Sequence, residues 1–243
     1  MKRCIPFALA GSLLAPWTLA QAIDLNEDFS LALEAGLFSD YRTRGISQTQ
    51  NDPAIQGSAT LLHSSGLYAG VWSSNVDFGF GSRTRQEQDY YAGYYWQIND
   101  DVSLDVSYID YVYPRQSDFN YNEYHAELNA YGARLGGNYS DDLGGDQSML
   151  YSYLGYGATL PYDIGLELRY GVTDYKDPIW ISAGGSTRNS YHEWEAKLSR
   201  TLLGLDWSLS YIDTDLSEAE CASYLGFDDV CSATLVAGVS KTF

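Results

Sequence analysis

From residue 29 onwards, the chain is dominated by segments in which apolar and polar side chains alternate. Between residues 90 and 98, for example, Tyr90, Tyr94 and Trp96 alternate with polar or small residues. Side chains of a β-strand point to opposite faces in turn, so each such segment predicts a strand with one apolar face. About twelve segments long enough to cross a bilayer follow one another.

The connections between these segments alternate in length. Tight turns are predicted at His63, Asn99, Tyr131, Pro161 and Gly204, and longer loops begin at Ser39, Gly79, Pro114, Asp141, Asp174 and Thr214. Transmembrane barrels have this asymmetry, with short periplasmic turns and longer outer loops. The sequence therefore predicts an all-β fold, a transmembrane antiparallel up-and-down β-barrel of about 12 strands. A soluble β-sandwich would also alternate, but its strands are usually shorter and its aromatic residues do not gather at strand ends.

The last segment, Ala233 to Phe243, reads as a half-buried strand that ends on an aromatic residue. An edge strand in lipid would leave backbone groups without hydrogen bonds, so we expect it to close the barrel against the strand beginning near Phe29. Lys241 falls on the lipid-facing side, where a lysine near the interface can extend towards water. The ending resembles the closing strand of bacterial outer-membrane barrels. This resemblance implies that Phe243 is an assembly signal for the barrel assembly machinery.

The first 22 residues have the pattern of a secretory signal peptide. Lys2 and Arg3 precede an apolar run from Ile5 to Leu19, and Ala20-Gln21-Ala22 follows as a small-x-small cleavage site. The run is short for a membrane span. We therefore predict a signal peptide over residues 1–22 and an outer-membrane β-barrel over residues 23–243, located in the bacterial cell outer membrane.

Charge and hydropathy narrow the classes of function. The net charge is −18 and becomes more negative when Lys2 and Arg3 are removed, so binding of nucleic acid through its phosphates is not expected. A mean hydropathy of −0.27 argues against a helical membrane bundle, whereas an alternating barrel hides its apolar belt from such an average. Dinucleotide, P-loop, zinc and haem motifs are absent from the sequence, and no cofactor or metal is predicted.

Two cysteines remain after the signal peptide, Cys221 and Cys231. A pair of cysteines in an exported chain most simply forms a disulfide that closes a loop. Metal binding by this pair is the weaker alternative, because no histidine or third cysteine lies near it in sequence.

The region from Ser39 to Phe78 carries a resemblance to a known family. Its first-loop pattern and the strand that follows keep Ser39, Tyr41, Arg44, Gly45, Ser47, Gln48, Gly70, Trp72, Ser74 and Asn75. With the tyrosine-rich segments that follow and the SKTF ending, the chain resembles the proteobacterial TorF family of outer-membrane barrels, whose members are named porins. The resemblance covers nearly the whole chain after the signal peptide and implies an outer-membrane barrel with a pore.

Strand phase predicts which polar side chains line the lumen. These candidates are Asp89, Asp105, His125, Glu127, Asn129, Glu167, Arg169, Glu193, Glu195 and Lys197. They could form a field that selects solutes by charge, or they could pair across a narrow lumen and fill it. Because acidic residues outnumber basic ones, an open lumen would prefer cations or neutral solutes.

The first loop places two arginines, Arg42 and Arg44, in an otherwise acidic chain. Folded inward they would constrict the pore, and outward they would suit the phosphates of lipopolysaccharide. A purely structural loop is the simpler interpretation, with Gly45 at positive φ and Arg44 paired with an inner-face glutamate such as Glu34.

Three functions are compatible with these features. The first is a porin-like channel for passive diffusion of small hydrophilic solutes. The second is a closed structural or adhesive barrel, with residues 174–190 and 214–232 as binding loops and Ile179-Trp180-Ile181 as an exposed apolar candidate. The third is an outer-membrane enzyme, which we do not expect because His63, His125 and His192 cannot be grouped with a nucleophile from the sequence. The expected partners are outer-membrane lipid, lipopolysaccharide and small solutes, and the sequence leaves the oligomeric state open.

Overall fold

A closed sheet of 12 antiparallel strands makes up the body of the molecule in the computed structural model, which describes residues 22–79 and 81–243. Each strand pairs with its neighbours along the chain, and the last pairs with the first. The predicted fold class and strand number are therefore confirmed. The strands are Phe29–Phe38 (β1), Ala54–His63 (β2), Leu67–Asn75 (β3), Gln86–Asn99 (β4), Val102–Val112 (β5), Tyr121–Ala130 (β6), Ala133–Ser140 (β7), Met149–Leu160 (β8), Ile164–Tyr175 (β9), Ser190–Leu202 (β10), Leu205–Thr214 (β11) and Thr234–Thr242 (β12).

Strands β12 and β1 close the barrel. Gly238 lies opposite Phe38, and Thr242 lies opposite Glu34. The ladder continues to the last residue, since the Phe243 amide donates to the Leu33 carbonyl at 2.8 Å. The predicted closure against the strand beginning near Phe29 is thus confirmed. The predicted signal peptide, residues 1–22, lies outside the described residues except for Ala22, and it stays a prediction.

Apolar side chains cover the outer face of the barrel. Leu37, Ile55, Leu154 and Leu235 each leave more than half of their surface exposed. Lys241 also points outward, with its ammonium 4.9 Å from the centroid of the Phe243 ring. A closed sheet satisfies all its backbone groups internally, and this apolar exterior suits lipid. The protein is an outer-membrane β-barrel.

Tyrosine rings occupy the inner face where glycines of neighbouring strands leave room. Tyr68 of β3 lies against Gly93 of β4, where an added Cβ would be 2.5 Å from the ring. Tyr153 of β8 covers Gly136 of β7 in the same way. Gly136 weakens the strand pattern in the sequence, but here it permits close contact with a ring from the next strand.

Short turns join the strands at the end that carries Phe243, and longer loops join them at the opposite, extracellular end. The longer connections are residues 39–53 (loop 1), 76–85 (loop 2), 113–120 (loop 3), 141–148 (loop 4), 176–189 (loop 5) and 215–233 (loop 6). Several contain short elements: Arg42–Thr43 paired with Ile46–Ser47, the 3₁₀ turn Ser117–Phe119, Trp180–Ile181 paired with Thr187–Arg188, and helix α1, Glu218–Leu225. A further two-residue strand, Ile23–Asp24, pairs with β1.

Loops 1, 5 and 6 pack into an apolar cluster over the extracellular mouth, which we call the cap. Its buried members are Ile46, Trp180, Tyr191, Leu216, Cys221, Val230 and Cys231. The prediction that Trp180 is exposed is wrong, because the ring is fully buried against loop 6. Only Ile181 of that segment is largely exposed. Cys221 and Cys231 form the expected disulfide inside the cap. No helix of residues 22–79 and 81–243 is long and apolar enough to cross a membrane.

Candidate functional site

Loop 1 folds into the extracellular half of the lumen. Its hairpin pairs Arg42 with Ser47, and the turn between them has Arg44 and Gly45 at φ values of 49° and 82°. A side chain at Gly45 would collide with Thr214 and lie 3.1 Å from Glu193. Glycine is therefore needed here both for the positive φ and because the backbone passes close to the barrel wall. The loop therefore constricts the lumen.

Arg44 reaches across the lumen to β6. Its Nη2 donates to both carboxylate oxygens of Glu123, at 2.7 and 2.8 Å. The guanidinium also lies over the Tyr151 ring, 4.9 Å from the centroid. Pairing of Arg44 with an inner-face glutamate is confirmed, but the partner is not Glu34, because Glu34 lies near the closing end of β12, whereas loop 1 lies at the extracellular end. The partner is Glu123, which is fully buried.

Arg42 fastens loop 1 to loop 6. Its guanidinium donates to the Asp40 carboxylate at 2.7 Å and the Asn51 amide oxygen at 2.7 Å. It also donates to the Gly45 carbonyl at 2.9 Å and the Ser232 carbonyl at 2.8 Å. Arg42 is buried and its donors point at protein acceptors, so it stabilises the loop and does not face lipopolysaccharide.

The remaining residues of the first-loop motif hold its shape. The Tyr41 hydroxyl donates to Glu87 of β4 at 2.7 Å, and Tyr113 donates to the other oxygen of Glu87 at 2.7 Å. The Ser47 hydroxyl donates to Asp40 at 2.6 Å, and the Gln48 amide donates to the Tyr41 carbonyl at 2.7 Å. Loop 1 is thus bound to the wall by hydrogen bonds to buried carboxylates.

A cavity of about 170 Å³ adjoins loop 1 inside the barrel. Most of the sequence-predicted candidates contribute to its wall: Asp89, Asp105, His125, Glu127, Arg169, Glu195 and Lys197. Aromatic rings line it as well, among them Trp72, Tyr91, Tyr111, Tyr151 and Tyr153. The cavity therefore combines charge with aromatic surface.

Three of the candidates lie away from this cavity. Glu167 lines a smaller adjoining cavity with Arg134. Glu193 is fully buried and accepts from the Tyr151 hydroxyl at 2.5 Å. Asn129 lies on β6 opposite Ser103, in the half of the barrel that ends at the short turns, and is half-buried.

Basic side chains of the lumen pair with acids of other strands. Arg169 of β9 contacts Glu195 at 2.8 Å and Glu193 at 3.1 Å, both on β10. Arg134 of β7 contacts Glu167 of β9 at 3.2 Å. Arg169 and Glu195 lie directly opposite each other on adjacent strands, whereas the contact of Arg134 with Glu167 crosses the intervening strand β8.

The list of lumen candidates lacks Glu87, Glu123 and Arg134, although the strand pattern places Glu123 on the inner face. All three are buried and take part in the bonds that hold the lumen together. Their strand phase matches that of Asp89, Glu127 and Gly136, so alternation alone was a sufficient signal.

The three histidines lie apart. His63 contacts Ser65 in a short turn, with Nδ1 2.8 Å from the hydroxyl. His125 faces Asn138 inside the barrel at 3.2 Å, and His192 faces Tyr170 at 2.9 Å on the outer side. Among the described residues, no group of three or more His, Cys, Asp or Glu side chains is placed to hold a metal ion.

Residues 24–243 match the family described as "Bacterial protein of unknown function (Gcw_chp)". The chain belongs to this family. A search of curated proteins finds no match to this Gcw_chp member.

Several solved outer-membrane proteins are similar in chain trace. The NanC porin is 11% identical over 87% of this chain and 98% of that chain, with a TM-score of 0.49. OprD of Pseudomonas aeruginosa is 10% identical over 91% of this chain and 68% of that chain, with a TM-score of 0.41. OccAB2 of Acinetobacter baumannii is 14% identical over 91% and 66%, with a TM-score of 0.41.

Proposed function

We propose that this Gcw_chp protein is a porin-like channel for passive diffusion of small hydrophilic solutes, with a preference for cations or neutral solutes. The observation that carries the proposal is the charged cavity within the barrel, about 170 Å³ in volume. Asp89 and Asp105 each have a buried carboxylate oxygen with no hydrogen-bond partner among the described residues. Unpartnered buried carboxylates destabilise a protein, so their presence supports contact with water and solutes.

The pairing of charges supports a cation or neutral preference. Of the cations at the cavity wall, Arg42 pairs with Asp40, Arg44 with Glu123, and Arg169 with Glu195. Acidic groups remain in excess among those without a salt bridge: Asp89, Asp105 and Glu127 against Lys197. A lumen with such an excess attracts cations and repels anions.

Loop 1 limits the proposed solutes to small ones. Its hairpin spans from the wall at Glu193 to Glu123, and buried ion pairs and hydrogen bonds hold it in place. Wide barrels leave an aqueous channel, whereas narrow ones fill with side chains. A twelve-stranded barrel with an inserted loop suits the passage of single small molecules.

A closed structural barrel is the second candidate, and the packing of loop 1 and the cap favours it. Glu87, Glu123 and Thr173 of the extracellular half are at most 2% exposed. The absence of catalysis stays a prediction. We also propose recognition of Phe243 by the barrel assembly machinery and membership of the TorF family, both supported by the sequence resemblance. Contact with lipopolysaccharide stays a prediction that the loop arginines do not support, because Arg42 and Arg44 bind protein acceptors.

Liposome swelling with neutral sugars of graded size tests the channel. We expect swelling with the smallest sugars and none with larger oligosaccharides. No swelling with any sugar would reject the channel in favour of the closed barrel. In planar bilayers with a salt gradient, a reversal potential favouring anions would contradict the ion preference.

A further inference from the structure

The main cavity is uncharged on one side. The described residues of β11, β12, β1, β2 and β3 that line it carry no charge, and these five strands follow one another around the barrel. We call their lining residues the neutral wall. Strands β4, β5, β6, β9 and β10 contribute the charged wall: Asp89, Asp105, Glu127, Arg169, Glu195 and Lys197. The cavity therefore has two sides of different chemistry.

Strand register places the apolar members of the neutral wall side by side. Phe38 lies directly opposite Gly238, and its ring fills the space over that glycine, where an added Cβ would be 2.5 Å from the ring. Val236 is the next inner-face residue of β12 towards the extracellular end and lies opposite Ser210. Ile212 follows Ser210 on the inner face of β11. These side chains form a continuous apolar surface at one side of the cavity.

The apolar surface continues as far as β3. Phe38 and Trp72 both pack against one buried cluster that contains Tyr41 and Ala54. The rings of Tyr41 and Trp72 lie 5.3 Å apart between centroids. Pockets lined by aromatic and aliphatic side chains bind ligands mainly through apolar contact, and a few polar groups orient the ligand. The neutral wall therefore suits a flat apolar ring.

The volume of the cavity limits what it can hold. It measures about 170 Å³. An apolar cavity of roughly 150 Å³ accepts one benzene molecule. This cavity therefore has room for one aromatic ring with small substituents, and two fused rings exceed it.

We propose that the cavity binds a small uncharged arene that carries hydroxyl groups, with its ring on Phe38, Val236 and Ile212. The ring would displace water from an apolar surface that cannot hydrogen-bond to it. A hydroxyl both donates and accepts, so it can bond to the acids and the bases of the charged wall, whereas a charged substituent would also meet groups of its own sign. The inference rests on the proposed channel function, because it names a class of solute admitted.

Three uncharged probes test the ring and its size: resorcinol, myo-inositol and 2,7-dihydroxynaphthalene. Calorimetric titration of the complete barrel in detergent, corrected for empty micelles, needs no open path through the lumen. Resorcinol should bind at least about tenfold more tightly than myo-inositol, which has a ring of six carbons but no apolar face. The two-ring compound should bind more weakly than resorcinol. Equal binding of resorcinol and myo-inositol would overturn the inference, and so would tighter binding of the two-ring compound.

Val236→Thr tests the neutral wall with little change of shape. It replaces one methyl group by a hydroxyl, so resorcinol should bind about fourfold more weakly, and myo-inositol should not bind more weakly. The matched control is Val239→Thr, on the same strand but on its lipid-facing side. A variant that binds resorcinol as its control does would overturn the inference.

A second variant covers the case in which Val236→Thr does not fold, as judged by heat-dependent gel mobility. Ile212→Val removes one methylene group without adding a polar atom, and should also weaken resorcinol binding about fourfold. Its control is Ile55→Val, on the exposed outer face of β2. Equal affinities of Ile212→Val and Ile55→Val for resorcinol would overturn the inference.

Sugar swelling separates the inference from the channel proposal. Swelling by neutral sugars, together with resorcinol binding no tighter than that of myo-inositol, would overturn only the inference. Resorcinol binding that depends on Val236 or Ile212, without swelling by any sugar, would support the binding site and reject the channel.

Discussion

Arg44→Ala should release loop 1 from the lumen while the barrel stays folded. The substitution removes two donor contacts to Glu123, at 2.7 and 2.8 Å, and leaves a carboxylate whose side chain is 0% exposed. Removing one partner of a buried ion pair typically costs about 3–5 kcal/mol. Tyr111 and Asn138 still donate to Glu123, at 3.1 and 2.9 Å, so the lower end of that range applies.

Hydrogen exchange measured by mass spectrometry reports how often loop 1 opens, and so measures the stability that the substitution removes. With about 3 kcal/mol lost, loop 1 should open roughly 100-fold more often, since about 1.4 kcal/mol corresponds to a factor of ten. The reporting amides are those of Gln48, bonded to Tyr41, and Ser47, bonded to Val230. Amides in the β6 ladder should not change. Adding Glu123→Gln to Arg44→Ala should restore most of the protection, because the uncompensated charge is gone.

An unchanged exchange rate in loop 1 of Arg44→Ala would refute this reasoning. It would mean that the hydrogen bonds of Arg42 and Tyr41 alone hold the loop. Loss of the whole barrel would refute it equally, because loop 1 would then be part of the barrel's folding unit.

Three further predictions concern the wall and the cap. Gly93→Ala should lower the free energy of unfolding of the refolded barrel by about 1–3 kcal/mol, measured by denaturant titration, because the new Cβ meets Tyr68. Gly184→Ala should not, because its new Cβ would meet only the Ser182 hydroxyl at 3.9 Å, and equal effects would contradict the packing argument. The double variant Cys221→Ser/Cys231→Ser should speed proteolysis within loop 6 and leave the strands intact, with a loss of about 2–3 kcal/mol from the cap; an unchanged cleavage rate would contradict this. Burial raises the pKa of Glu220, but hydrogen bonds from Ser217 and Arg188 outweigh it and hold the pKa below its ordinary value of 4.5. Folding thus favours the charged form, so Trp180 fluorescence should report a cap that loosens as the pH falls through that lowered pKa, and Glu220→Gln should flatten the profile.

The barrel could be predicted because each strand and turn is specified by residues that are close together in the sequence. Alternation sets which side chains face lipid, and Phe243 marks the closing strand, so register and strand number follow from the turns. The partner of Arg44 was not predictable in this way. Glu34 and Glu123 share the same phase, and only the distance of each from the extracellular end decides between them.

The helix in loop 6 could have been predicted from the sequence. Helix α1 begins with a capping box of Ser217 and Glu220 and ends at Gly226 with φ 81°, a pattern readable in a segment taken as plain loop. No sequence pattern predicts the burial of Trp180, because it depends on how loops 5 and 6 meet over the barrel mouth. Contacts between loops leave no periodic pattern of apolar residues in the sequence from which they could be predicted.

The bond from Arg42 to the Ser232 carbonyl links the inserted hairpin to a residue just before β12. During biogenesis, a chain whose final strand has not yet joined β1 lacks this anchor. The step that completes the wall therefore also supplies one of the bonds that hold the constriction within it. Closure of the barrel and placement of loop 1 are coupled through this single guanidinium.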